Sequence, residues 1–158
     1  MHGGDQFKPT SAGAKTATLT IPSNDPVTSV VTVTPLSGTG GAATPVIFVS
    51  PLSMPFGTVP VGSASTLQNV TVRNDGTADL ILGTIALGGA NPDQFKQAAA
   101  QDLCSGRTLA PTQTCTVGIK FKPTTAGAKS ATLTIPSNDP VTSVVTVTPL
   151  SGTGGDAP

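Results

Sequence analysis

Apolar and polar residues alternate through most of this chain, and the alternation predicts strands. From Thr16 to Ile21, Ala17, Leu19 and Ile21 share one face while Thr16, Thr18 and Thr20 share the other. A period of two with β-branched residues is the signature of a half-buried strand. Ser23-Asn24-Asp25-Pro26 is a dense turn signal. A second strand runs from Val27 to about Thr34, with Val31 and Val33 on one face. Pro35 interrupts the alternation and Leu36 resumes it out of phase, which a bulge or an edge position would accommodate. Together these segments predict a hairpin that ends at Ser37-Gly38-Thr39-Gly40-Gly41.

The same hairpin returns 114 residues later. Residues Phe7 to Gly41 and Phe121 to Gly155 agree at all but two of 35 positions, where Ser11 faces Thr125 and Thr16 faces Ser130. Between the copies the pattern predicts further strands. Val46 to Val49 is a short one with Phe48 as a core candidate. Ser50 to Pro60 carries prolines at 51, 55 and 60 and predicts an extended segment with little regular pairing. Leu67 to Asn74 alternates around Val70 and Val72, and Asp75-Gly76 then predicts a tight hairpin turn. Leu80 to Leu87 is almost wholly apolar, so it is buried on both faces or bent at Gly83. Asp93 to Gln101 is the one stretch with helical propensity, and a short helix or turn is expected there with Phe95 inward. Cys115 to Phe121 puts Val117, Ile119 and Phe121 on one face. In the second hairpin, Ala131, Leu133, Ile135, Val145 and Val147 are the inward candidates.

About seven strands with turn signals every 8–12 residues predict an all-β, immunoglobulin-like sandwich, preceded by a partial repeat. The boundaries read as a leader at 1–6, the closing hairpin of a preceding repeat at 7–41, a linker at 42–45, a complete domain at 46–155 and a tail at 156–158. A 35-residue hairpin cannot bury a core alone. Ala17, Leu19, Ile21, Val31 and Val33 therefore form an apolar face with nothing in their own hairpin to cover it. Such a hairpin can be ragged, can be completed by an upstream domain of a longer parent, or can add to a sheet edge of a neighbouring molecule. Neighbouring copies of the chain, or adjacent repeats, are thus the expected partners.

Composition narrows the function classes. The 158 residues include eight Asp, no Glu, six Lys and two Arg, for zero formal net charge. That lacks the basic face of a nucleic-acid binder. No run approaches the ~18–20 apolar residues of a membrane span, and the opening MHGGDQF has no apolar signal-peptide core. His2 is the sole histidine and lies in the leader, so no base is at hand to activate a nucleophile. Asp25 and Asp139 sit in Asn-Asp-Pro turns, where turn geometry accounts for them. No enzymatic activity, cofactor or metal is expected.

Cys104 and Cys115 flank a polar loop. The spacing fits no zinc site, and a bridge between them would imply an oxidising, extracellular or cell-surface location. Two independent buried thiols are the alternative.

Several phrases occur in a recognisable order: Phe56-Gly57-x-Val59-x-Val61-Gly62, then Val70-Thr71-Val72-x-Asn74-x-Gly76-x-Ala78-x-Leu80, then Asn91-Pro92-Asp93-x-Phe95. The cysteine loop, Phe121-x-Pro123-x-x-x-Gly127, Ala131-x-Leu133-x-Ile135 and Leu150-Ser151-Gly152-Thr153-Gly154 follow. In this order they resemble the ASPM–SPD-2–Hydin (ASH) type of immunoglobulin-like domain, in the bacterial version found in extracellular "choice-of-anchor D" proteins. The resemblance implies a non-enzymatic β-sandwich repeat, often in tandem arrays on secreted or surface proteins; with the uncovered hairpin beside it, the expected role is a spacer or a self-assembling filament subunit joined through that hairpin. The competing expectation is an adhesion module that recognises carbohydrate or protein through its loops, above all residues 88–114.

Overall fold

The computed structural model describes residues 6–156. His2, most of the expected leader and the last two residues of the expected tail lie outside the described residues. The chain divides into two units, Met1–Ala43 and Thr44–Pro158.

The first unit is a hairpin of β1 (Gly13–Pro22) and β2 (Val30–Gly40). The pairing is antiparallel, and Ala17 lies opposite Leu36 while Leu19 lies opposite Val33. Thr18 therefore faces both Thr34 and Pro35. The expected bulge is here, on the strand carrying the proline, and it brings Leu36 back into phase with Val33.

The second unit is a sandwich of two four-stranded sheets. Its strands are β3 (Ile47–Ser50), β4 (Met54–Pro60), β5 (Gln68–Asn74), β6 (Leu80–Ile81), β7 (Ala86–Gly88), β8 (Phe95–Asp102), β9 (Thr108–Leu109), β10 (Thr114–Phe121), β11 (Gly127–Pro136) and β12 (Val144–Gly155). One sheet has the order β3-β5-β10-β8, the other β4-β12-β11-β7, and β6 pairs with β9 apart from both. Inward residues from the two sheets make one core. Val70, Val72, Val117, Ile119 and Phe121 come from the first sheet, and Met54, Leu133, Ile135, Val147 and Leu150 from the second. Phe95 and Phe121 stack with centroids 4.9 Å apart, and the Phe56 ring stands 5.7 Å from Phe95. These three rings supply the bulk that Trp or Tyr would give elsewhere.

Four expectations need correction. Phe48 points outward, with Ile47 and Val49 buried on either side. Its ring is capped by the Arg73 guanidinium 4.5 Å away, so a cation–π contact replaces burial. Residues 54–60 pair regularly after all, in parallel with β12. β4 is an edge strand, so its prolines remove no ladder bond that a central strand would need. Asp75-Gly76 is a turn but closes no hairpin, because β5 pairs with β3 and β10 while the chain beyond crosses to β9. Finally, the helical turn at Pro92–Gln94 is only three residues long and strand β8 follows at once. Phe95 is inward as expected and pairs with Phe121. The register on β10 jumps from Val117 opposite Asp102 to Ile119 opposite Gln97. The alanines at 98–100 and Gln101 are thus thrown out as a wide bulge over Gly118. A Cβ on Gly118 would come within 2.8 Å of Gln101 Cβ, so the bulge requires glycine beneath it.

Candidate functional site

The second copy of the repeated stretch shows what the hairpin does when it is covered. β11 and β12 have the register of β1 and β2 residue for residue, including the bulge, with Ala131 opposite Leu150 and Leu133 opposite Val147. The Thr34–Pro35 and Thr148–Pro149 peptides are both cis. The two hairpins are one structure in two settings.

The settings differ in burial. Leu133 is 0% exposed and its counterpart Leu19 47%. Val147 is 0% exposed and Val33 42%. Phe121 is fully buried and Phe7 is more than half exposed. Ile21, Val31 and Ala17 are likewise exposed, although Ile135 and Ala131 are buried and Val145 half-buried. The five residues named from the sequence lie on β1 and β2 as one face. Sequence reasoning missed two members of it, Phe7 and Leu36. The bulge at Pro35 is the signal that would have placed Leu36 there. Phe7 lies against Gly38 as Phe121 lies against Gly152, where a Cβ would stand 2.7 Å and 2.5 Å from the respective rings. An open hollow beside Phe7, Lys15, Ala17 and Leu36 marks the unfilled side. At the matching place in the sandwich, Leu150 pairs with Met54, and the Phe56 and Phe95 rings approach Phe121 to 6.2 and 4.9 Å.

The polar groups follow the same division. Asp139 Oδ1 accepts from the amides of Val141 (2.8 Å) and Thr142 (2.9 Å), and Oδ2 accepts from Ile47 N–H at 2.8 Å. Donation from the Thr142, Ile47 and Val141 amides lowers its carboxyl below the usual aspartate value. Asp25 makes the corresponding turn bonds through Oδ1, to Val27 (2.8 Å) and Thr28 (3.0 Å). The Thr28 and Val27 amides lower its carboxyl too. Its Oδ2 accepts no bond among the described residues.

The irregular region is held by a disulfide between Cys104 and Cys115, with Cα atoms 5.3 Å apart. Asp102, which sequence reasoning did not single out, organises the loop. Its Oδ1 accepts from the amides of Cys104 (3.1 Å) and Ser105 (3.0 Å), and its Oδ2 from Gln97 Nε2 (2.8 Å). Burial pushes the Asp102 carboxyl up, but bonds from Ser105, Cys104 and Gln97 outweigh it and hold the carboxyl below its ordinary value. An aspartate two residues before a structural turn is the weak signal that could have found it. Among the described residues no group of three or more His, Cys, Asp or Glu side chains could hold a metal ion. No helix among them is long and apolar enough to cross a membrane.

A family model described as Cep192 domain 4 matches residues 44–155. No curated protein sequence matches the chain. Among solved structures, the ASH/PapD-like domain of human CEP192 (PapD-like domain 7) is similar at 17% identity and a TM-score of 0.50, over 71% of this chain and 87% of that one. A Porphyromonas gingivalis W83 protein of unknown function is similar at 16% identity and a TM-score of 0.56, over 93% of this chain and 68% of that one. The Vibrio cholerae VesB protease is similar at 13% identity and a TM-score of 0.51, over 68% of this chain but only 31% of its own. At these identities the likeness is one of fold.

Proposed function

The chain belongs to the Cep192 domain 4 family over residues 44–155, and on that premise we propose that it is a non-enzymatic structural repeat of a secreted or cell-surface protein, of the bacterial choice-of-anchor D kind. Its work is to space and connect, through sandwiches joined by short linkers. The observation that carries this reading is the second copy of the closing hairpin, 114 residues from the first and with the same pairing. Near-identity over a stretch of this length is the mark of a duplicated array, in which each copy performs the same structural task.

The disulfide and the lack of a long apolar helix among the described residues are compatible with an extracellular location. A cytosol would hold such cysteines reduced.

The test is a binding screen of the intact chain against glycans and extracellular-matrix proteins, alongside fractionation of the source cells. A spacer gives no saturable binding, and the chain is recovered outside the cytoplasm with its cysteines paired. Saturable binding abolished by substitutions within 88–114 would replace this reading with an adhesion module. Recovery as a reduced cytoplasmic protein would remove the extracellular assignment.

A further inference from the structure

Resting on the reading of the chain as a structural repeat, we propose what the uncovered hairpin face fits. It is an interaction surface for the strand shell of another copy of this repeat, equivalent to residues 44–120, in a copy whose shell has no closing hairpin of its own.

The folded repeat states the requirements. β11–β12 meets its shell through main-chain bonds: Thr148 N–H donates to Leu52 O (2.8 Å), and Pro136 O and Pro123 O accept from the amides of Gly83 and Gly62 (both 2.9 Å). The counterparts Thr34, Pro22 and Pro9 are the same residue types. At the turn, Asn138 Oδ1 accepts from Ile81 N–H (2.8 Å) and Asp139 Oδ2 from Ile47 N–H (2.8 Å). The counterparts are Asn24 and Asp25, and Asp25 Oδ2 is the oxygen that accepts nothing among the described residues. The two positions that differ do not disturb this. Ser130 meets the shell through its backbone, donating to Asn91 Oδ1 (3.2 Å) and accepting from Asn91 N–H (2.8 Å), and Thr16 has the same main-chain groups. The Thr125 side chain takes part in no hydrogen bond among the described residues. β1–β2 thus offers the shell what β11–β12 offers it.

The shell of the same chain is out of reach. Within the second unit, Thr44 to Ile47 lie beside Asp139, at the end of the sheet where Pro136 pairs with Val144. Gly155 lies at the other end, beside Pro60. The twelve residues of β12 separate the two ends by roughly 35 Å. For β1–β2 to replace β11–β12, Gly41 would have to sit where Gly155 sits while Thr44 stayed in place. Three residues of chain span only about 11 Å. Exchange between two intact chains gains nothing either, because each inserted hairpin expels one of nearly identical sequence. Only a shell without a closing hairpin removes the exposed face at no such cost. The chemistry that recognises β1–β2 is therefore that of residues 44–120, supplied one repeat upstream.

The experiment places Val33→Cys in two proteins: the 158-residue chain, and a chain lengthened by an extra copy of residues 44–120 joined directly ahead of Phe7. The native cysteines are paired, so the introduced thiol reports alone. In the 158-residue chain it should react rapidly at every protein concentration. In the lengthened chain it should slow by at least about a hundredfold, as local opening then limits access. Val147→Cys should be protected in both, and Thr32→Cys, on the outward face, reactive in both. Ala17→Cys repeats the measurement with a side chain close to the original in size. Adding Leu19→Asp to the lengthened chain should restore reactivity at position 33. A thiol at positions 33 and 17 that stays reactive in the lengthened chain, with that at 147 protected, overturns the proposal. Concentration-dependent protection in the 158-residue chain overturns the requirement for an unoccupied shell. Ligand binding through 88–114 would sink the spacer reading yet leave these thiol rates unchanged, so the two failures are separable.

Discussion

At the scale of single residues, three polar side chains do what the apolar pattern cannot. Asn74 is fully buried. Its Nδ2 donates to Ala78 O and Leu109 O (2.8 Å each), and its Oδ1 accepts from Gly76 N–H at 2.9 Å. These bonds carry the chain from β5 across towards β9, which is why Asp75-Gly76 closes no hairpin. Asn74→Ala should destabilise the second unit by about 3 kcal/mol, since buried partners are left unsatisfied; calorimetric unfolding of the intact chain measures it. Asp102 and Asp139 contribute to the acid limit. Both carboxyls lie below their ordinary value in the folded chain, so the folded state holds fewer protons than the unfolded one as pH falls. Their contribution is complete above the unfolded aspartate value of about 3.9 and disappears as pH drops through the lower folded values. The urea midpoint should stay level between pH 7 and 5 and fall below about pH 4. Asp139→Asn should flatten that fall; an unchanged acid limb in the variant would show that Asp139 contributes none of it.

At the scale of elements, legibility depended on how local the cause was. β1, β5, β10 and β11 were plain in the sequence because each alternates Thr or other polar residues with Val, Ile or Leu on its own. Pro35 marked the irregularity but left a bulge and an edge position equally open, and only the register between Ala17–Leu36 and Leu19–Val33 places Leu36 on the apolar face. β8 was not legible. The residues at 97–101 favour helix by local propensity, but Phe95 must pair with Phe121 in the core, and that long-range burial wins. β4 was hidden for a related reason: its partner β12 is about 95 residues away and parallel, so no turn announces the pairing. Phe48 was misplaced because hydrophobicity cannot choose between the faces of a four-residue strand whose neighbours Ile47 and Val49 are also apolar. The disulfide was half-legible, as a spacing without a geometry. It ties the loop just after β8 to β10, next to the wide bulge, the part of the sheet with the least regular pairing. Replacing both Cys104 and Cys115 by Ser should cost about 3 kcal/mol and should raise hydrogen exchange in 96–107 more than in β11 or β12. Uniform loosening would instead place the bridge's effect in the unfolded chain alone.

At the scale of the whole molecule, the duplicated hairpin makes the chain its own control: the same substitution can be tried once covered and once uncovered. Leu133 is inside the sandwich and Leu19 is not, yet their local sequences are nearly the same. Local propensity and strand pairing therefore cancel in the comparison, and burial remains. Leu133→Asp puts a carboxylate into an apolar core with no partner, and should cost the second unit more than about 4 kcal/mol or prevent its folding. Leu133→Ala, the milder form, should cost about 2–5 kcal/mol. Leu19→Asp should change the unfolding of that unit by no more than about 0.5 kcal/mol. The chain has no Trp or Tyr, so calorimetry or circular dichroism is the suitable probe. If Leu19→Asp destabilised the second unit as much as Leu133→Asp, the face of β1–β2 would already be engaged in the isolated chain, and the idea that it awaits another repeat would be lost. If Leu19→Asp instead left stability unchanged and raised solubility, the cost of the uncovered face would be visible directly. Leu19, Ile21, Val31 and Val33 are each about half exposed, and full burial of such a side chain is worth at most about 1.5–3 kcal/mol, so together they are a large driving force to leave uncovered, and it is this imbalance that an adjoining repeat would relieve.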